Sequence, residues 1–146
     1  MGAKRFEIVE HTADKGIRAY GRSLLEVFEN AAYGMFSLVI DASRADTAGR
    51  RDVGVTGFDK EELLVRWLGE LLFLYETEGA AFCGFHIREL DQVEEGGPWR
   101  LRATCDYAAA ADKIERKASP VKAVTYHGLK IEESQGIWAA SVIFDV

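Results

Sequence analysis

The hydrophobic period of this chain changes near residue 81, and that change limits the folds open to it. Leu64, Trp67, Leu68, Leu71, Leu72 and Tyr75 recur at i, i+3, i+4, i+7, i+8 and i+11, the spacing of one helical face. Beyond Ala81 the period falls to two. Phe85 and Ile87 alternate, and then Trp99, Leu101, Ala103, Cys105 and Tyr107 alternate with Arg100, Arg102, Thr104 and Asp106. Such a strand has one buried and one solvated face, as in an antiparallel sheet. Helical and strand blocks kept apart in this way define an α+β chain.

The helix has marked ends. Asp59 stands as N-cap with Glu62 three positions later, and Gly79 is placed as the residue that stops it. Phe73 and Leu74 widen its apolar stripe, which predicts cover on more than one side. The same capping logic opens an earlier helix at Ser23-Leu24-Leu25-Glu26. Leu24, Val27, Phe28, Ala31, Ala32, Met35 and Phe36 give it a core face that runs to about residue 40.

Strand patterns fill the rest. Phe6 and Ile8, then Ile17 and Ala19, flank a polar turn and predict a β-hairpin. Residues 41–51 have no periodicity and are expected to be a solvated connection, after which Val53 and Val55 form a short strand ending at Gly57. Ser119-Pro120 has the form of an N-cap followed by a first-turn proline, so a short helical turn is expected there, although the alternation of Val124 and Tyr126 argues for a strand. A strand from Gly128, a turn at Glu133-Ser134-Gln135-Gly136 and a last strand through Phe144 complete the reading. That last strand is apolar on both faces and is expected to be central. The expected architecture is two helices packed on one mainly antiparallel sheet, in the order β-β-α-β-α-β-β-(short α)-β-β, with residues 1–146 as a single domain.

Two stretches are dense in chemistry. His11-Thr12-Ala13-Asp14 packs a histidine, a hydroxyl and a carboxylate into one turn, and the sequence closes on Asp145-Val146. Asp14, Asp145 and the Val146 carboxylate are hard oxygen donors suited to Ca²⁺ or Mg²⁺ rather than zinc. They converge only if the C-terminal strand lies beside the hairpin. The plainer reading is that Asp14 caps its own turn and Asp145 is an exposed end. His11 is the natural general base of such a site, or else a hydrogen-bonding support for the turn. Lys122 and His127 are candidates for the same surface, against the simpler reading of an exposed lysine and a turn histidine.

Composition excludes other classes. A net charge of −6 argues against a broad phosphate-binding surface, and direct nucleic-acid contact is not expected. Cys83 and Cys105 lack the spacing of a zinc site or a disulfide framework. No run is long and apolar enough to cross a membrane, and no signal region precedes the first strand, so a cytoplasmic protein is expected. Nucleotide-cradle and nucleophile-elbow motifs are absent from the sequence.

Taken together, Glu10-His11-Thr12-Ala13-Asp14, the aromatic-rich helix after Ser23, Lys122-Ala123-Val124-Thr125-Tyr126-His127 and Ile143-Phe144-Asp145-Val146 resemble the archease family, with Lys15 departing from its usual small or apolar residue. The resemblance covers essentially the whole chain. It implies a small α+β protein that assists an RtcB-type tRNA-splicing RNA ligase, promoting guanylylation of the ligase histidine and multiple turnover. GTP and divalent metal would be handled by the ligase, and tRNA would be reached through it. It also implies a divalent-metal site at Asp14 and Asp145 with Val146 as third ligand, and a functional role for Lys122. A chaperone-like modulator of a tRNA methyltransferase is an older proposal for the family. A stand-alone metal-dependent phosphoesterase is the enzymatic alternative that the same carboxylates would serve.

Overall fold

The computed structural model describes residues 4–10, 14–109, 114–117 and 121–146. The chain opens with β1 (Phe6–Glu10), β2 (Lys15–Gly21) and α1 (Leu24–Val39), followed by β3 (Ile40–Asp41) and β4 (Thr47–Gly57). Then come α2 (Lys60–Glu78), β5 (Phe82–Gln92) and β6 (Trp99–Ala108). Four strands close it: β7 (Glu115–Arg116), β8 (Ala123–Val124), β9 (Lys130–Ser134) and β10 (Ile137–Asp145). Two helices on mainly antiparallel sheet is the architecture expected from the sequence.

The sheet is divided, however. One sheet runs β1-β2-β10-β8, with β9 also paired to β10; a second runs β4-β6-β5; β3 and β7 form a separate pair. The reason lies in the helices. α1 buries Val27, Phe28, Ala31, Ala32, Met35, Phe36, Leu38 and Val39, which covers most of its circumference. A helix apolar nearly all round needs cover on both sides, and α1 packs on β2 and β5 while α2 packs on β4 and β8. Each helix therefore touches both large sheets.

The core between them is aromatic. Trp67 is fully buried, and its indole N–H donates to the Phe28 carbonyl at 3.0 Å, tying α2 to α1. Phe36 meets Phe82 and Tyr75 edge to face at 5.7 and 6.0 Å. Leu74 joins this core, but Phe73, read as part of the same stripe, lies on the solvent side at 56% exposure. No described helix is long and apolar enough to cross a membrane.

Both helix starts follow the sequence. Ser23 accepts the Glu26 amide at 3.0 Å, and Asp59 accepts the Glu62 amide at 2.7 Å. Each glutamate reaches one residue past the cap: Glu26 accepts the Arg22 amide and Glu62 the Phe58 amide. α2 stops at Gly79, whose φ of 72° is a left-handed conformation.

Two regions differ from expectation. β4 begins at Thr47, inside the stretch read as a connection. Its first residues carry no apolar alternation and are held by pairing with β6 and by ion pairs from Arg50 to Asp106 and from Arg51 to Glu78. Ser119 and Pro120 lie outside the described residues, but from Val121 the chain is not helical. Ala123–Val124 instead pair with Phe144 and Asp145. The main chain around β8 supplies donors to an otherwise open stretch of β10: the Lys122 amide bonds the Asp145 carbonyl at 2.7 Å and the Thr125 amide bonds Ile143 at 3.2 Å.

Candidate functional site

β10 is the central strand that its two-sided apolarity predicts, and its C-terminal end organises the site. On one side Phe144 stands opposite Lys15 and Ile143 opposite Gly16. Asp14 and Asp145 each lie one residue beyond the last pair of that ladder, so the two strands bring both carboxylates to the same end of the sheet. On the other side Asp145 stands opposite Ala123, and the Lys122 amide bonds the Asp145 carbonyl. Sequence stretches more than a hundred residues apart thus meet at one end of one sheet.

Alternation decides which way the carboxylates face. Ile17, Ala19, Val142 and Phe144 are buried against the helices. Asp14 and Asp145, on the opposite parity, belong to the outer face of the sheet. Asp145 is exposed. Asp14 is half-buried, and its Oδ1 is buried with no hydrogen-bond partner among the described residues. A buried carboxylate oxygen without a donor is costly, and a cation is one group that removes the cost.

The donor set is sparse. Among the described residues no group of three or more His, Cys, Asp and Glu side chains is placed to hold an ion. Two carboxylates with main-chain oxygen at Val146 fit an ion that retains several waters, as Mg²⁺ does, and Ca²⁺ accepts the same oxygen chemistry. The residues therefore fit a divalent cation held mainly by Asp14 and Asp145.

Lys122 is exposed, and its amide bond to the Asp145 carbonyl places it at the end of β10 on the β8 side. His127 is also exposed, on the turn closed by the Leu129 amide to the Tyr126 carbonyl. Its amide donates to Thr125 Oγ1 at 3.3 Å, and that hydroxyl donates to the Ile143 carbonyl at 2.8 Å. His127 is thereby tied to β10 two residues before Asp145, at the rim of the site rather than within it. His11 lies outside the described residues.

One element of this face is not evident from the motifs. Arg18 stands opposite Ser141 and donates to its hydroxyl at 2.8 Å and to Glu132 at 3.1 Å. The hydrogen bond from Arg18 holds the Glu132 carboxyl below its ordinary range, and the same bond raises Arg18. A fixed guanidinium thus sits on the same outer face as the paired carboxylates, four residues along β2 from Asp14. Its sequence signal was the polar position between Ile17 and Ala19. Arg100, by contrast, is held by Asp91 and Glu89 on the solvated face of β6, which agrees with its reading as a surface residue.

Fold and site define a class: a small α+β protein whose two helices are enclosed by antiparallel sheets, with two carboxylates where its central strand ends. The comparisons with known proteins make the class specific. The model of the archease protein family (MTH1598/TM1083) matches residues 6–146. Protein archease of Methanosarcina mazei is 40% identical over 147 residues, covering 98% of this chain and 97% of that protein. Protein archease of Sulfurisphaera tokodaii is 39% identical over 145 residues, with 98% and 99% covered. The solution structure of Methanobacterium thermoautotrophicum protein 1598 superposes with a TM-score of 0.84 at 39% identity, covering 97% of this chain and 99% of that one. The crystal structure of an archease from Thermotoga maritima, described as a possible chaperone, has the same fold at a TM-score of 0.58 and 21% identity over 94% of each chain. This chain belongs to the archease family.

Proposed function

We propose that this protein is an accessory factor of an RtcB-type tRNA-splicing RNA ligase, promoting its guanylylation and its multiple turnover, and is not itself the enzyme. Family membership supports the reading, and the observation that carries it is the pairing of β2 with β10, which brings Asp14 and Asp145 to one end of the sheet, where the Lys122 amide also bonds β10. Asp14 and Asp145, with main-chain oxygen at Val146, would hold Mg²⁺ or Ca²⁺. Such an ion neutralises charge on phosphate oxygens and polarises them. Lys122 adds a mobile point cation that pairs with a phosphate or with a carboxylate of the ligase. His127 and His11 belong to the surface offered to that partner. The net charge of −6 favours a protein partner over naked RNA, with tRNA and GTP reached through the ligase.

The test is ligation by the cognate enzyme under single-turnover and multiple-turnover conditions, with wild-type protein, Asp14→Ala and Asp145→Ala. A Mg²⁺ and Ca²⁺ titration of each protein alone runs in parallel. Both variants are expected to keep the wild-type stability to within about 1 kcal/mol, because Asp145 is exposed and Asp14 Oδ1 has no hydrogen-bond partner among the described residues. Both are expected to lose cation binding and stimulation together. Full stimulation by either variant overturns the reading. Absence of stimulation by the wild type at any ratio would direct attention to phosphoesterase activity of the chain alone.

A further inference from the structure

The five-stranded sheet has a second end. β2 is seven residues long, so Gly21 lies about 20 Å from the Asp14 end. There β2 turns into α1, and a cleft of ≈ 570 Å³ opens between the start of β1, α1 and β5. That volume is in the range of small-molecule sites.

The side chains that line it invert the charge of the molecule. Lys4, Arg5, Arg22 and His86 line it beside Glu26 and Glu29, in a chain whose net charge is −6; Lys4 is paired with Glu7 at 3.1 Å and His86 with Asp106 at 3.0 Å. Among the described residues neither Arg5 nor Arg22 is in an ion pair. Arg5 is held another way, with its guanidinium 4.7 Å from the centre of the Tyr33 ring. Tyr33 is itself fixed: its hydroxyl accepts the Phe85 amide at 3.3 Å, and its ring meets Phe85 edge to face at 4.9 Å. A guanidinium stacked on an aromatic ring keeps its N–H donors for another acceptor.

The opposite chemistry is also present. Glu29 Oε2 accepts the Ile87 amide at 2.8 Å, and Asn30, 8% exposed, donates to the Tyr20 carbonyl at 2.7 Å. Both residues line the cleft, so a held carboxylate and a held carboxamide stand near the unpaired cations. Cations alone would suit any anion. Cations beside a rigid aromatic pair and fixed hydrogen-bonding groups suit an anion that carries a planar polar ring.

We propose that this cleft binds a small phosphate monoester bearing a hydrogen-bonding ring, with a nucleoside monophosphate as the class of ligand. Arg5 and Arg22 take the phosphate. The Arg5–Tyr33 stack takes the ring, and Glu29 and Asn30 meet its polar edge. The site is independent of the ligase reading, because it needs only this chain and lies at the other end of the sheet.

The experiment is calorimetric titration of the full chain alone, at low salt, with AMP, adenosine and inorganic phosphate. Wild type, Arg5→Ala, Arg22→Ala and Arg102→Ala are compared, and circular dichroism establishes that each is folded. AMP is expected to bind saturably, and more tightly than adenosine or phosphate. Arg22→Ala, on the exposed rim, is expected to weaken AMP about tenfold or more, as loss of a charge-assisted hydrogen bond does. Arg5→Ala should do the same, and Arg102→Ala, on the far sheet, should change nothing. No saturable AMP binding overturns the proposal, as does binding that Arg22→Ala and Arg102→Ala weaken equally. Phosphate binding as tight as AMP would overturn the ring half and leave a bare anion site.

Discussion

At the scale of the residue, what matters is where a charged atom lies relative to water. Glu29 illustrates it. The carboxylate sits partly inside the molecule, and burial pushes its pKa above the ordinary value of 4.5 despite the hydrogen bond from the Ile87 amide. Between 4.5 and the raised value the folded state holds more protons than the unfolded state. Stability therefore falls as pH rises through that window and is greatest below it. Glu29→Gln keeps an acceptor for the Ile87 amide and removes the titration. Denaturant midpoints of the two proteins at a series of pH values check this: wild type should lose ground to the variant as pH rises from about 4. Parallel pH profiles would mean that burial does not govern this group. Nothing in the sequence distinguishes Glu29 from Glu26 three residues earlier, since both lie on one polar side of an amphipathic pattern. Asp14 was legible as a residue, because a carboxylate in a dense polar turn attracts notice. The burial of its Oδ1, which has no partner among the described residues, was not, because burial of a single atom depends on how the rest of the chain lies against it.

Between residue and molecule stand two junctions of the same form. Gly21-Arg22-Ser23 leads β2 into α1, and Gly57-Phe58-Asp59 leads β4 into α2. At both, the cap and the glutamate three residues on were readable from the sequence, since capping is local chemistry. The need for glycine was not. A Cβ on Gly21 would lie 2.6 Å from the Val27 nitrogen, and one on Gly57 would lie 2.7 Å from the Leu63 nitrogen. Both clashes are with backbone of the helix that follows, so neither side can yield by rotating a side chain. Asp59→Ala removes one cap bond and should cost about 1 kcal/mol. Gly57→Ala must move a helix turn against its strand and should cost about 2 kcal/mol or more, in the range of overpacking. Urea unfolding of the two variants orders them, and a Gly57→Ala loss no larger than that of Asp59→Ala would show that the junction can open freely. The shortest strands escaped the sequence for a related reason. β3, β7 and β8 are two residues each, and such elements exist only through their partners, with no room for a period.

For the whole molecule, the decisive feature is that the two helices are shared between two sheets. Helical stripes, capping boxes and the alternation of Trp99 to Tyr107 were enough to predict two helices on antiparallel strands. The partition into separate sheets was not, because periodicity tells which face of a strand is buried and not which strand lies beside it. The partition has a consequence for folding. Neither sheet has a helix of its own: α1 lies against β2 and β5, and α2 against β4 and β8. Loss of either helix uncovers both sheets, so the two should unfold together in one transition. The tryptophans are placed to report it. Trp99 is on β6 of one sheet, Trp138 on β10 of the other, and Trp67 is fully buried on α2 between them. Variants that retain a single tryptophan, with phenylalanine at the other two positions, give one probe per layer. Those that lose Trp67 also lose its bond to the Phe28 carbonyl and should be less stable by about 1 to 2 kcal/mol. Within any one variant, however, the fluorescence midpoint in urea should coincide with that of far-ultraviolet circular dichroism, whichever sheet carries the probe. A Trp138 signal lost well before the dichroism would mean that the sheet bearing Asp14 and Asp145 opens independently, and the paired carboxylates would then form only when that sheet is closed.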